Sequence, residues 1–154
     1  MWPFILTRTI TLEKTIAASR SDVLKILHDP QQVLANNPMV VSVVQDNSEP
    51  SWYTVTERIP LVGSWATHTK FRTQWMQSMD GCDVEVHAAL WTRLKNEMRV
   101  RELNAEEGSV LLHEQVVVQV KRFSSAWVSV LTQYFSGVVF IFSFHRVHHG
   151  QRPS

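Results

Sequence analysis

The chain has 154 residues, which suits one ordinary domain with a buried core and a small internal cavity. Fifteen Lys and Arg residues against fourteen Asp and Glu residues give a net charge of +1, so no global field would attract nucleic acid or an anionic membrane. Charged residues make up only 19% of the chain, below the usual value of about 25%, so part of the sequence must be short of charge.

The cysteine content and the N-terminus indicate a reducing compartment. Cys82 is the single cysteine and cannot form an internal disulfide, and the sequence has no Asn-x-Ser/Thr glycosylation site. The apolar start of the chain reaches Arg8 before it is long enough for a signal-peptide core. We therefore expect a cytoplasmic protein, and only the final segment leaves room for membrane association.

The N-terminal part of the chain is predicted to form one strand and two short helices. Apolar and polar side chains alternate after Thr7, which is the period of a half-buried strand. Ser19 and Asp22 have the spacing of a capping box, and Pro30 suits the first turn of a second helix. The predicted boundaries are 5–17 for the strand and 20–28 and 30–36 for the helices.

From Met39 the chain is predicted to form a meander of six antiparallel strands. Runs of alternating apolar and polar residues are separated by turn residues, of which Asp80-Gly81 is one example. The strands are predicted over residues 39–45, 52–59, 65–77, 82–91, 97–103 and 110–121.

A long helix is predicted over residues 122–148, and it contains the charge deficit. Residues 123–144 include no Asp, Glu, Lys or Arg, and at about 1.5 Å per residue they are long enough to cross a bilayer. Several hydroxyl side chains in this segment argue against a membrane anchor. We expect the apolar face of the helix to cover the sheet, with the hydroxyl face against solvent, a second subunit in a homodimer, or a membrane surface.

Two groups of motifs carry a resemblance to a known superfamily. The segments SRSDVLKILHDP at 19–30 and NNP at 36–38, followed by the predicted meander and helix, resemble the START-like, or Bet v 1-like, helix-grip superfamily. The segments VTERIP at 55–60, DGCDVEVHA at 80–88 and LLHE at 111–114 are similar to a family of small, uncharacterised fungal proteins within it. The resemblance implies an α+β fold in which a seven-stranded antiparallel curved sheet wraps around the C-terminal helix and leaves an apolar cavity.

Strand parity places two glutamates and a lysine on the interior face of the predicted sheet. Glu114, Glu57 and Lys14 each share a face with the apolar residues of their strands. If they meet in one cavity, a paired lysine would keep a carboxylate ionised, whereas an unpaired carboxyl would have a raised pKa. Glu114 and Glu57 are therefore the candidate catalytic acid–base groups. The alternative is a structural role in an ion pair, at a bulge or at a sheet end.

Large aromatic residues are the second set of candidates, because flat apolar walls suit a hydrophobic ligand. The chain has six Trp residues, and filling of the core is the competing explanation for each of them. The candidate substrate-binding residues are Lys14, Tyr53, Trp65, Phe71, Trp75, Trp127, Tyr134 and Val138.

The histidines and the known catalytic motifs add no further site. By parity His68, His87 and His113 face outward, and the spacing of the C-terminal histidines could bind zinc but lacks a Cys or acidic partner. The sequence also lacks a Gly-x-Ser-x-Gly elbow and a Gly-rich phosphate loop. We expect no metal and no cofactor.

The resemblance implies that the partner is a hydrophobic small molecule, since members of the superfamily bind sterols, lipids, polyketides and plant hormones. Some members also cyclise, dehydrate or condense such molecules. We therefore expect a cofactor-free cyclase, isomerase or dehydratase acting on a polyketide- or terpenoid-like metabolite. The alternatives are a non-catalytic carrier or sensor of a lipid or sterol, and a membrane-associated interaction module built on the last helix.

Overall fold

The structure is a computed structural model that describes residues 5–60, 64–88, 92–104 and 108–121. The predicted long helix over residues 122–148 lies outside the described residues. The candidates Trp127, Tyr134 and Val138 belong to that segment and are outside them as well.

The described residues form seven strands and two helices in the predicted order. They are β1 (Ile5–Ile16), α1 (Arg20–Leu27), α2 (Pro30–Ala35), β2 (Val40–Gln45), β3 (Trp52–Pro60), β4 (Ala66–Ser78), β5 (Gly81–His87), β6 (Arg93–Asn104) and β7 (Ser109–Lys121). Neither described helix is long and apolar enough to cross a membrane.

The seven strands form one curved antiparallel sheet in the order β1-β7-β6-β5-β4-β3-β2. Consecutive strands from β2 to β7 are neighbours, and β1 returns to pair with β7 along its whole length. The buried apolar side chains alternate along the strands, as in Leu112, Val116 and Val118 of β7, so one face of the sheet holds the core.

The two helices begin at the predicted caps and are held by packing. The Ser19 hydroxyl accepts a hydrogen bond from the Asp22 backbone N–H at 3.2 Å, and Asp29 caps α2 in the same way. Helices this short are not stable in isolation, so their buried residues, among them Leu27 and Val33, must anchor them to the core.

Hydrogen bonds also tie the end of α1 to the sheet. The indole N–H of Trp75 on β4 donates to the carbonyl oxygen of Leu27 at 2.9 Å. The Nε2 atom of His28 lies 3.1 Å from the carbonyl oxygen of Ser78 and 3.0 Å from that of Gly81, at the turn between β4 and β5. The helix pair is therefore fixed over one end of the sheet.

The boundary between β5 and β6 differs from the prediction. β5 ends at His87 rather than at residue 91, and β6 begins at Arg93 rather than at residue 97. The Ala88 backbone N–H donates to the carbonyl oxygen of Thr92 at 3.0 Å and closes the connection early. The sequence has no Gly or Pro from Ala88 to Thr92, so the apolar residues after Ala88 resembled a continuing strand.

Candidate ligand-binding cavity

A cavity of about 50 Å³ lies against the inner face of the sheet and α2. One water molecule needs roughly 10 to 15 Å³, so the cavity has room for several groups of that size. Most described lining residues are apolar: Val33, Leu34, Val40, Phe71, Trp75, Val84, Val86, Leu94, Met98 and Val116. Four lining residues are polar: Asn37, Glu57, Thr73 and Asn96. The cavity thus combines apolar walls with a few hydrogen-bonding groups, as small-molecule sites do.

Glu57 of β3 places a carboxyl group in the cavity wall. Its side chain is only 2% exposed, and its Oε1 accepts a hydrogen bond from Nδ2 of Asn37 at 3.2 Å. The Asn37 amide is itself oriented, because its Oδ1 accepts from the Met39 backbone N–H at 2.9 Å. Burial raises the pKa of Glu57 to about 7, and the hydrogen bond from Asn37 opposes part of that rise.

Glu114 of β7 is buried more deeply and is not among the described residues that line the cavity. It is 0% exposed, and its Oε1 accepts a hydrogen bond from Nδ2 of Asn96 at 2.5 Å. Its Oε2 has no hydrogen-bond partner among the described residues. Burial raises the pKa of Glu114 to about 7, with the Asn96 hydrogen bond acting in the opposite direction. Asn96, which does line the cavity, connects this carboxyl to it.

Lys14 and Tyr53 lie on the inner side of the sheet but are not part of the cavity wall that the described residues form. Lys14 is half-buried on β1, opposite Leu112 of β7. Tyr53 is buried on β3, where its hydroxyl group accepts a hydrogen bond from Nε2 of Gln45 at 3.3 Å. Of the three charged residues considered for this site, Glu57 alone lines that wall.

The aromatic candidates divide between the cavity and the surface. Phe71 and Trp75 of β4 are buried and line the cavity. Trp65 is 77% exposed and is not among the described residues that line the cavity, so its role in substrate binding stays a prediction. β4 begins at Ala66, so the alternation that buries Phe71 and Trp75 does not extend to Trp65.

Sequence reasoning missed three polar lining residues. Thr73 lies between Phe71 and Trp75 on the buried face of β4, which strand parity could have shown. Asn96 was missed because β6 was predicted to begin after it, and Asn37 was interpreted only as a turn residue. The signal for Asn96 is its alternation with the buried Leu94, Thr92 and Met98 of the same strand.

The described histidines on the strands lie on the outer face, as parity predicted. His68 is exposed, and His87 and His113 pair with Glu85 and Glu13 at 2.7 Å and 3.0 Å. Their acidic partners also point away from the core, so these pairs are surface features.

This architecture is similar to the START-like, or Bet v 1-like, fold. A START superfamily protein from Mycobacterium smegmatis superposes with a TM-score of 0.69 at 17% identity, over 93% of this chain and 99% of that chain. Truncated norcoclaurine synthase from Thalictrum flavum superposes with a TM-score of 0.68 at 11% identity, over 96% of this chain and 97% of that chain. Zhui aromatase/cyclase from Streptomyces sp. R1128 superposes with a TM-score of 0.55 at 15% identity, over 79% of this chain and 72% of that chain. At these identities the likeness shows the fold alone.

A comparison of the sequence with protein-family models shows the family of this chain. The model of the family described as Domain of unknown function (DUF7053) matches residues 4–133, and the chain belongs to this family. No curated protein matches the chain in sequence.

Proposed function

We propose that the protein is a cofactor-independent enzyme that binds a hydrophobic, polyketide- or terpenoid-like metabolite in this cavity. Glu57 transfers a proton to or from the bound molecule during a cyclisation, isomerisation or dehydration. The observation that carries the proposal is a buried carboxyl group, with a pKa of about 7, in the wall of a mostly apolar cavity.

The pKa of Glu57 suits both directions of proton transfer. A carboxyl with its ordinary pKa of 4.5 is almost fully ionised at neutral pH and is a poor acid there, whereas Glu57 populates both forms. Positioned acid–base groups of this kind contribute about 10² to 10⁴ in rate. Asn37 keeps the carboxyl in one orientation, and the apolar walls confine the substrate against it.

The structural neighbours support the class of function. A norcoclaurine synthase and an aromatase/cyclase share the fold, which shows that this architecture accommodates enzymes. The START superfamily protein has the same fold with a TM-score at least as high, so the structural neighbours by themselves do not distinguish an enzyme from a binding protein.

A specific observation favours non-catalytic binding as the second candidate. Glu57 is the one titratable residue among the described lining residues, and the other polar groups there are two amides and a hydroxyl. Amides and hydroxyls hold the polar end of a ligand without exchanging protons. A carrier of a lipid, sterol or other hydrophobic molecule needs no more than this.

Glu57→Gln separates the two functions. The glutamine retains an oxygen that accepts from Asn37 but cannot titrate, and the outward-facing Glu97→Gln serves as the matched control. Both variants and the wild type would be tested for binding of 1-anilinonaphthalene-8-sulfonate by fluorescence, and for conversion of a panel of polyketide and terpenoid compounds by mass spectrometry.

We expect the wild type and Glu97→Gln to convert a compound that Glu57→Gln binds but converts at least about 100-fold more slowly. Turnover retained in Glu57→Gln would overturn the role of Glu57. Binding of the dye with no conversion of any compound by the wild type would overturn the enzyme proposal in favour of the carrier.

A further inference from the structure

Two buried polar atoms in the cavity wall have no partner among the described residues. They are Oδ1 of Asn96, whose side chain is 4% exposed, and Oγ1 of Thr73, which is 0% exposed. Leaving a buried polar group unpaired is unfavourable, so an atom of this kind in a cavity wall indicates a hydrogen-bonding partner that binds there. Both residues line the cavity, so their side chains lie beside the space that a bound molecule would fill.

Glu114 determines which end of the Asn96 amide is available. A side-chain amide has one donating end and one accepting end. When Glu114 is ionised, its carboxylate engages the donating Nδ2 at 2.5 Å, which leaves Oδ1 as the accepting end. The strand neighbours of Asn96 are Val84 on β5 and Val116 on β7, and neither side chain can donate a hydrogen bond to it. Asn96 therefore presents an oriented acceptor in an apolar surrounding.

We propose that Asn96 Oδ1 accepts a hydrogen bond from a hydroxyl group of the ligand, and that Glu114 is the positioning residue for this contact. The ligand class is a hydrophobic molecule that carries an alcohol or phenol group. A ketone or an ether presents only acceptors and would leave Asn96 Oδ1 unpaired. The Thr73 hydroxyl, which both donates and accepts, provides a second contact on the same side of the sheet.

This inference rests on the proposed function only in requiring that the cavity binds a ligand. It holds for an enzyme and for a carrier alike. It also gives Glu114 a role different from the catalytic one expected from sequence, since Glu114 acts through Asn96.

A pair of probes that differ in one hydrogen-bond donor tests the proposal. 2-Naphthol and 2-methoxynaphthalene share an aromatic body, but only the first can donate to Asn96. Titration calorimetry on the full chain should show 2-naphthol binding about tenfold more tightly to the wild type, because the probe without a donor leaves the buried Asn96 Oδ1 unpaired, and a tenfold ratio of affinities corresponds to about 1.4 kcal/mol. Equal affinities would overturn the proposal without any variant, while leaving the cavity as a ligand site.

Variants test whether Asn96 and Glu114 cause the preference for 2-naphthol. The double substitution Asn96→Leu with Glu114→Leu replaces both hydrogen-bonding partners by apolar groups, a change that proteins tolerate better than loss of one partner. It should abolish the tenfold preference while retaining 2-methoxynaphthalene binding. Glu97→Gln, the next residue of β6 on the opposite face, should keep the preference. A preference that survives in the double variant would overturn the role of Asn96.

Glu114→Gln tests positioning separately from stability. A glutamine can either accept from Asn96 Nδ2 or donate to Asn96 Oδ1, so the amide is no longer held one way. The ratio of the two affinities should fall about threefold, which a purely structural role of Glu114 would not change. An unchanged ratio would overturn the positioning role. Failure of both probes to bind the wild type would overturn the ligand site itself.

Discussion

Asn96 connects Glu114 to the cavity. Its Nδ2 donates a 2.5 Å hydrogen bond to the Glu114 carboxyl, while Asn96 itself lines the cavity wall and Glu114 does not. Glu57 has the same raised pKa of about 7 but meets the cavity directly. Of these two glutamates with similarly raised pKa values, one lines the cavity and the other does not, which is why we propose different roles for them.

The stability of the protein should decrease as the pH rises from about 5 to about 8, because Glu57 and Glu114 bind protons more tightly in the folded state. Their pKa values of about 7 lie above the ordinary 4.5, so across this range the unfolded chain has released protons that the folded protein still holds. Each group should contribute on the order of 3 kcal/mol below its unfolded pKa, and lose it as the pH passes its folded value.

Urea unfolding of the wild type at several pH values measures this dependence. Glu57→Gln and Glu114→Gln should each remove part of the slope, whereas the exposed Glu97→Gln should keep all of it. If neither buried substitution reduces the slope of the free energy of unfolding against pH, Glu57 and Glu114 do not cause the pH dependence.

Trp75→Phe should destabilise the protein by about 2 kcal/mol, because it removes the indole N–H and leaves a buried carbonyl group unpaired. That N–H donates to the Leu27 carbonyl oxygen and holds α1 on the sheet. Trp65→Phe is the matched control, since Trp65 is 77% exposed and its substitution should change the free energy of unfolding by less than about 0.5 kcal/mol. Equal effects of the two substitutions in urea denaturation would show that the bond to Leu27 contributes nothing.

Gly81→Ala should be strongly destabilising, since an added Cβ would overlap the backbone oxygen of Met98 on the neighbouring strand. We expect a loss of about 3 kcal/mol in the free energy of unfolding. Gly108→Ala meets open space and should cost only about 1 kcal/mol, through the strain of its φ of +58°. Thermal unfolding of both variants measures the difference, and a milder effect at Gly81 than at Gly108 would contradict the close approach of β5 and β6.

Cys82 should react with a thiol reagent such as 5,5′-dithiobis(2-nitrobenzoate) only when the protein unfolds. The residue is 0% exposed, and burial, followed by the nearby Asp83 charge, raises the pKa of its thiol from 9.0 to about 12. Near pH 8 the reactive thiolate is then reduced by about three orders of magnitude. Because Cys82 is the only cysteine, the absorbance reports this one site. Rapid labelling in the absence of denaturant would mean that the start of β5 opens readily.

Local patterns predicted most of the fold. The capping box at Ser19 and the proline at residue 30 placed both helices, and the alternation of side chains placed seven strands in their order. The predicted end of β5 and start of β6 were wrong, because no Gly or Pro interrupts the apolar run between them. In the structure, the Ala88 N–H donates to the Thr92 carbonyl oxygen just beyond the last paired residues of the two strands. The same error concealed Asn96.

Sequence alone determined which side chains face inward on the strands whose bounds it predicted well, because strand parity depends only on the spacing of residues along one strand. It identified Glu57 and Glu114 as buried carboxyls and gave the START-like fold through its motifs. Only the tertiary structure decided that Glu57 lines the cavity, whereas Glu114 contacts a lining residue, Asn96, through a hydrogen bond. That distinction depends on pairing among β5, β6 and β7 and on the position of α2, and these contacts join residues that are distant in the chain.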